Sequence, residues 1–349
     1  MYGAGYGYRS SLNRSMVNHL RDKADAIQRM VSLADGDFVV DIGSNDGTSL
    51  SFYPGNLERV GIDPTGANFR DYYDPGIHLI PDFFSAHLFD GAFGGRKAKI
   101  VTSIAMLYDL DDPLAFAREV ESVMDEEGIW HFEQSYMPLM LETTGYDTIC
   151  HEHVEYYALT QVDWILRRAG LRIIDVGVND VNGGSFAVTA CKESASLADI
   201  SSRAEGILAR EQELALAGMR PFEEFASRVR DHRDSLLDLL RSLSAGGSLV
   251  VGYGASTKGN VILQYCGIGP ELVPCVAEVN ADKFGAFTPG SGIPIISEEE
   301  ARAMEPDFFL AMPWHFRPNL IAREAAFLES GGRMIFPLPR IDIVGRPAS

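Results

Sequence analysis

From Phe38 onward the chain alternates short apolar runs with longer amphipathic ones. Phe38 to Ile42 is a strand-type run containing the β-branched pair Val39 and Val40, and Gly43 to Gly47 interrupts it with small and polar residues. A second short strand, Val60 to Ile62, ends on Asp63. Upstream, Met16, Leu20, Ile27, Met30 and Val31 fall close to one face of a helix predicted over Leu12–Leu33. Downstream, the pattern predicts strands at Phe83–Phe84, Lys99–Ser103 and Gly128–Glu133, and a helix over Asp109–Met124. A helix over Val162–Ala169 then stops at Gly170, and Leu171–Val176 and Ser185–Ala190 follow as closing strands. This βαβα rhythm predicts an α/β fold, a doubly wound sheet with helices on both faces.

The pattern changes at Ser194. Ser194–Leu243 is rich in Ala, Leu, Glu and Arg and predicts two or three helices, broken near Gly218 and Pro221. A second, smaller Rossmann-like α/β unit follows. Its expected strands are Ser248–Gly252, Pro274–Glu278, Phe308–Met312 and Arg333–Pro337, with a helix over Val261–Cys266. The chain, at 349 residues, is long for one core. The expected division is an N-terminal arm and helix (1–33), a first α/β domain (34–193), a helical linker (194–243) and a C-terminal α/β domain (244–349).

Composition narrows the partners. The formal charge of -19 argues against nucleic acid or an anionic membrane as a bulk partner, while a local basic pocket can still hold an anionic small molecule. Cys150, Cys191, Cys266 and Cys275 are widely spaced without a C-x-x-C pair, which suits a reducing cytoplasm and supports neither a zinc site nor a disulfide framework. No apolar run reaches the length of a membrane span, and the N-terminus lacks the apolar stretch of a signal peptide. The expected location is the cytoplasm, as a monomer or dimer.

Three stretches carry candidate chemistry. The first is D-I-G-S-N-D-G-T with G-I-D-P: Asp41, Gly43, Ser44, Asn45, Gly47, Asp63 and Pro64. Glycines let the backbone approach a ligand, and a carboxylate about 20 residues on is placed to grip a ribose. The spacing alone fits a dinucleotide or S-adenosylmethionine. Asp41 in place of a first glycine favours a cationic methionine group and would repel a pyrophosphate. Asp82 beside Phe83 has the form of an adenine contact, and equally of a partly buried core pair. The second stretch is D-T-I-C-H-E-H-V-E-Y-Y, Asp147 to Tyr157. His151 and His153 are two apart, not the four of a helical zinc pair, which disfavours a metal. A histidine beside carboxylates instead suits proton abstraction, and His153 with Glu152, Glu155 and Tyr156 has that setting. A hydrogen-bonded loop histidine is the competing reading. The third is G-Y-G-A-S-T-K-G-N, where Gly254, Ala255 and Lys258 suit either a diphosphate or a tight turn with a surface lysine. In P-W-H-F-R-P-N, Trp314 and His315 have the types to stack on or hydrogen-bond a ligand, with a buried Trp anchor as the default.

In this order the segments resemble the sugar C-methyltransferase family that builds branched deoxysugars on nucleotide carriers. The motifs are Y-G-Y-R-S-S, D-I-G-S-N-D-G-T, G-I-D-P, Y-D-T-I-C-H-E-H-V-E-Y-Y, N-G-G-S, G-Y-G-A-S-T-K-G, K-F-G…P-G-S-G-I-P-I and P-W-H-F, over nearly the whole chain. The resemblance implies a class I methyltransferase domain that binds S-adenosylmethionine, and a Rossmann-like C-terminal domain that helps hold a nucleotide-diphosphate sugar. It implies methylation of the carbon next to a ketone, with His153 as base oriented by Glu152, and an active-site tyrosine at Tyr8, in preference to Tyr6. Members usually start with a cysteine-rich zinc module, and the matching stretch begins just after it. Two departures bear on the acceptor: Cys150 stands where the sugar enzymes carry a tyrosine, and Tyr108 where they carry a histidine. Methylation of nitrogen or oxygen on another anionic metabolite, a nicotinamide-dependent dehydrogenase and a non-catalytic binding protein are the competing readings.

Overall fold

The structure, a computed structural model, describes residues 9–200 and 202–345. The chain divides into two compact units whose boundaries are not contiguous in sequence. One comprises residues 1–136, 154–179 and 185–213, the other 137–153, 180–184 and 214–349. The expected linker 194–243 is thus shared: helix Arg203–Glu213 lies in the first unit and helix Arg220–Ala245 in the second.

The first unit is built on seven strands: β1 (Phe38–Ile42), β2 (Glu58–Ile62), β3 (Ile77–Ile80), β4 (Ala98–Ile104), β5 (Met124–Ser135), β6 (Leu171–Asn179) and β7 (Ser185–Lys192). They lie in the order β3-β2-β1-β4-β5-β7-β6. β1 to β5 are mutually parallel, and β7 inserts antiparallel between β5 and β6. Helices on both faces explain why β1 is buried at all five positions and reads as a continuous apolar run. Val39, Val40, Ile100, Val101 and Ile129 are fully buried at its centre. The strand order reverses between β1 and β4, so the crevice beyond their carboxyl ends is the natural ligand position. Gly43–Gly47 follows β1 directly into that crevice.

One expected strand is absent. Ile77–Ile80 forms β3, and Phe83–Phe84 does not pair. Pro81 cannot donate to the ladder, and Ser85 already caps the next helix, its Oγ accepting from Leu88 N at 3.2 Å.

The second unit holds six strands: β8 (Val250–Tyr253), β9 (Val276–Glu278), β10 (Ile295–Ser297), β11 (Phe308–Ala311), β12 (Arg333–Phe336) and β13 (Asp342–Gly345). Their order is β10-β9-β8-β11-β12-β13, all parallel except β13, which pairs antiparallel with β12. Here too the order reverses, between β8 and β11. Helix Thr257–Cys266 starts at that point, its Ser256 Oγ accepting from Gly259 N at 3.0 Å.

Among the described residues no helix is long and apolar enough to cross a membrane.

Candidate functional site

In the first unit the turn after β1 is held from three directions. Gly43 and Gly47 adopt φ of 74° and 75°, and a Cβ at Gly47 would lie 2.8 Å from the Tyr73 ring. Tyr73 donates its hydroxyl hydrogen to the Asn45 carbonyl at 2.8 Å. Ser44 Oγ must therefore be the donor in its 2.8 Å bond to the same phenol. Asp63, at the end of β2, accepts from Asn45 N at 2.8 Å through one oxygen. Its other oxygen accepts from Thr65 N at 2.7 Å and Thr65 Oγ1 at 2.6 Å. From the N-terminal side, Ser10 N donates to Asn45 Oδ1 and Ser11 N to Asp46 Oδ2, each at 3.0 Å. The structure thus gathers Asp41, Gly43, Ser44, Asn45, Gly47, Asp63 and Pro64 at one place. Asp46, within the same motif, supports them, as do Tyr73 and Thr102, which no signal in the sequence marked out.

Asp41 is buried and accepts from Thr102 Oγ1 at 2.6 Å. Burial pushes its pKa up to about 7; the Thr102 bond opposes this and the Asp63 charge adds to it. A buried carboxylate with no cation beside it among the described residues is one that a cationic ligand would stabilise. Asp82 and Phe83 are exposed, Phe83 at 64%, so the core-pair alternative is ruled out and the ring face is open. A glycine cradle, an under-compensated buried carboxylate and an open aromatic face together fit S-adenosylmethionine.

The second stretch, Asp147 to Tyr157, is divided between the units at His153. Tyr108 lies in the first unit, in the turn after β4, and its carbonyl accepts from Val154 N at 2.9 Å and Glu155 N at 3.0 Å. Tyr156 is half-buried beside them. His153 belongs to the second unit and is half-buried. Its Nδ1 lies 2.7 Å from the Thr148 carbonyl. A carbonyl only accepts, so Nδ1 carries the hydrogen and Nε2 the basic lone pair of the neutral ring. The orienting acceptor is therefore Thr148 and not Glu152, which corrects the expectation. The turn at Tyr146–Thr148 brings the Thr148 carbonyl to the ring. Desolvation lowers the His153 pKa, the Thr148 bond raises it and the Lys258 ammonium lowers it, for a net decrease. Cys150 is half-buried, and its carbonyl accepts from His153 N at 3.2 Å; His151 is exposed. Tyr6 and Tyr8 lie outside the described residues.

The third stretch corrects a second expectation. Gly254 N donates to the Ala277 carbonyl at 2.8 Å, and Ala255 N to Glu278 Oε2 at 2.9 Å. Both amides are occupied by the protein, and the Glu278 carboxylate would repel a diphosphate. Lys258 is not a surface cation either. Its Nζ donates to the Asn182 carbonyl, and desolvation lowers its pKa against the raising effect of Asp147. Trp314 is the buried anchor, with Nε1 donating to Asp147 Oδ2 at 2.7 Å. Burial, and then the Lys258 charge, push the His315 pKa down to about 3, so its ring is neutral. Asp147, Cys150, His153, Asn182, Lys258, Trp314 and His315 all belong to this second unit. Among the described residues no group of three or more His, Cys, Asp or Glu is arranged to hold a metal ion.

Two family models cover successive parts of the chain. Residues 15–176 match the family described as a methyltransferase domain, and residues 180–339 match the C-methyltransferase C-terminal domain. C-methyltransferase NovU of Streptomyces niveus is 33% identical over 341 residues, covering 97% of this chain and 81% of that protein. Among solved structures, a putative methyltransferase in complex with the Haloferax volcanii Trm112 activator matches with a TM-score of 0.41 at 15% identity, over 51% of this chain and 94% of that one. LepI in complex with S-adenosylmethionine matches with a TM-score of 0.39 at 14% identity, over 52% and 53%. The strand order, the fit of the glycine turn and the near full-length relative converge: this chain belongs to the C-methyltransferase family, with a class I α/β domain that uses S-adenosylmethionine.

Proposed function

We propose that the protein methylates the carbon next to the ketone of a keto-deoxysugar carried on a nucleoside diphosphate, with His153 as the base. The observation that carries this reading is the Nδ1–H bond of His153 to the Thr148 carbonyl, which leaves Nε2 as the proton acceptor. A carbon acid α to a carbonyl is not nucleophilic until that proton leaves, so C-methylation calls for such a base and for a donor to the enolate oxygen. When bound, S-adenosylmethionine supplies an electrophilic methyl group. Asp41, the Gly43–Gly47 turn, Asp63 and Phe83 are the groups that would hold it in the first unit.

The test is solvent exchange. The thymidine, uridine, cytidine and guanosine diphosphate esters of 4-keto-6-deoxyglucose are each incubated with enzyme in D2O, without methyl donor. Deuterium entering the carbon next to the ketone, followed by mass spectrometry, is the expected result. Methyl transfer from labelled S-adenosylmethionine to a metabolite extract, with no exchange in any ester, would instead point to a nitrogen or oxygen acceptor.

The Asp41 carboxyl gives a second expectation. With its pKa near 7 in the free protein, it is increasingly protonated below that pH. Binding a cation beside it then requires a proton to leave. Affinity for S-adenosylmethionine should rise about tenfold per pH unit below pH 7 and level off above it. Calorimetric titration of Asp41→Asn should show weaker binding without that slope; a slope unchanged in the variant would assign the proton to another group.

A further inference from the structure

The second unit places several polar groups close together with their hydrogen-bonding capacity incompletely used. The Asp147 carboxylate is 1% exposed; Oδ2 takes the Trp314 indole hydrogen, and Oδ1 has no protein partner among the described residues. His315 Nδ1 is likewise buried without a partner. Lys258 carries three N–H groups, one of which donates to the Asn182 carbonyl. A Cβ built on the next residue, Gly183, would lie 3.8 Å from Lys258 Nζ and 3.0 Å from the Trp314 ring. Gly183 thus allows the ammonium and the indole to close on the turn. From Lys258 the contacts run through the Asn182–Gly183 turn and Trp314 to Asp147, and then along the Tyr146–Thr148 turn to the carbonyl that orients His153. A half-buried ammonium is costly unless something anionic uses it. Asp147 supplies part of that balance, without coming within ion-pair distance of Nζ among the described contacts.

The departures at positions 150 and 108 sharpen the question of what bears the enolate charge. Cys150 is a weak hydrogen-bond donor compared with a phenol. Tyr108 sits in the first unit. In the second unit Lys258 is the cation whose charge is felt at His153.

Resting on the reading of a keto sugar acceptor, we propose that Lys258 is a catalytic residue: its Nζ donates to the ketone oxygen and holds the charge that forms there when His153 removes the neighbouring proton. In that step the carbon–hydrogen bond breaks, the proton goes to His153 Nε2, and the electron pair moves through the new carbon–carbon double bond onto the oxygen. Nothing is oxidised or reduced, and the step reverses without methyl donor. Asp147 acts through Lys258 as a positioning residue, its charge opposing the desolvation that lowers the Lys258 pKa.

The test uses the full chain and the four sugar nucleotides in D2O. Lys258→Met should slow deuterium uptake by about 10²–10³-fold relative to the wild type, the range found for loss of a single oxyanion donor. Its affinity for S-adenosylhomocysteine and for the sugar nucleotide should stay within about threefold. Lys258→Gln, which retains an N–H for the Asn182 carbonyl but no charge, repeats the measurement should the methionine variant fail to fold. Uptake within about threefold of wild type in the folded variant would overturn the proposal. So would a loss of sugar-nucleotide affinity equal to the loss of exchange, since Lys258 would then be a ground-state contact. If the wild type exchanges none of the esters, the keto sugar reading itself fails and takes this inference with it.

Discussion

Asparagine at position 153 should slow α-proton exchange and methyl transfer by about 10²–10⁴-fold, the usual worth of a positioned general base. The substitution is chosen because it separates orientation from basicity. Its side-chain amide is near the imidazole in size and can still donate to the Thr148 carbonyl that holds His153 Nδ1. It has no basic nitrogen to offer in place of Nε2. Affinity for S-adenosylhomocysteine, whose expected contacts lie in the first unit, should be unchanged. Exchange that survives in His153→Asn would remove His153 as the base, whatever happens to methyl transfer.

The same residue sets a pH dependence. The base must be neutral, so the rate should climb with pH through the His153 pKa and then level off. Desolvation, helped by the Lys258 charge, places that pKa below the ordinary 6.5 despite the opposing Thr148 bond. The acid limb should accordingly fall below pH 6.5, and most of the base should be in the active form at neutral pH. A rate that instead falls as pH rises through this range would be the signature of an imidazolium acting as acid.

What could be read from the sequence divides by physical origin. β1 was legible because a strand covered on both faces is apolar at nearly every position, and β4 through the buried β-branched pair Ile100 and Val101 at its centre. β3, Ile77–Ile80, was not: it is four residues long with His78 exposed, and the nearby Phe83–Phe84 pair is the stronger apolar signal. β10 follows Pro294, whose missing donor weakens a strand reading, and β13 is a short antiparallel edge. At the site, local chemistry carried well. D-I-G-S-N-D-G-T announces a tight turn, and that turn forms with positive φ at Gly43 and Gly47. What failed was direction. Lys258 in a glycine-rich turn looked like a surface cation for phosphate, and nothing in G-Y-G-A-S-T-K-G says that its side chain turns to the Asn182 carbonyl. Nor does the sequence show that Glu278 occupies the Ala255 amide, or that Asp147 takes the Trp314 indole 167 residues away. These are long-range pairings, and residue type alone does not choose between partners.

Glu133→Ala should be the most destabilising single change in the first unit's polar interior, lowering unfolding free energy by about 3–5 kcal/mol, the cost of removing one partner from a buried ion pair. Glu133, on β5, is 3% exposed and accepts from His19 Nε2 at 2.7 Å, Lys23 Nζ at 2.6 Å and Asn179 Nδ2 at 2.7 Å. Burial would raise its pKa, but the His19 bond and the Lys23 ammonium outweigh that and hold it at about 2. Alanine would strand the Lys23 ammonium beside His131, whose pKa burial has already pushed down to about 3. Both shifts act with the same sign. The folded Glu133 stays ionised where the unfolded chain is protonated, so its contribution is complete above pH 4.5 and is lost as pH falls towards 2. His131 refuses, in the folded state, a proton that the unfolded chain takes below pH 6.5, so stability also falls from there towards pH 3. Urea unfolding across pH 3 to 7 should therefore give a steep acid limb in the wild type and a shallower one in the variant. A loss under about 1 kcal/mol at pH 7 would mean that the pair behaves as a solvated surface bridge. The consequence reaches the cofactor. His19 and Lys23 belong to helix Arg14–Gln28, and the segment just before it lends the Ser10 and Ser11 amides to Asn45 and Asp46 in the glycine turn. Loosening that helix removes two supports from the turn, so Glu133→Ala should weaken S-adenosylmethionine binding even at pH 7, where the variant is still folded.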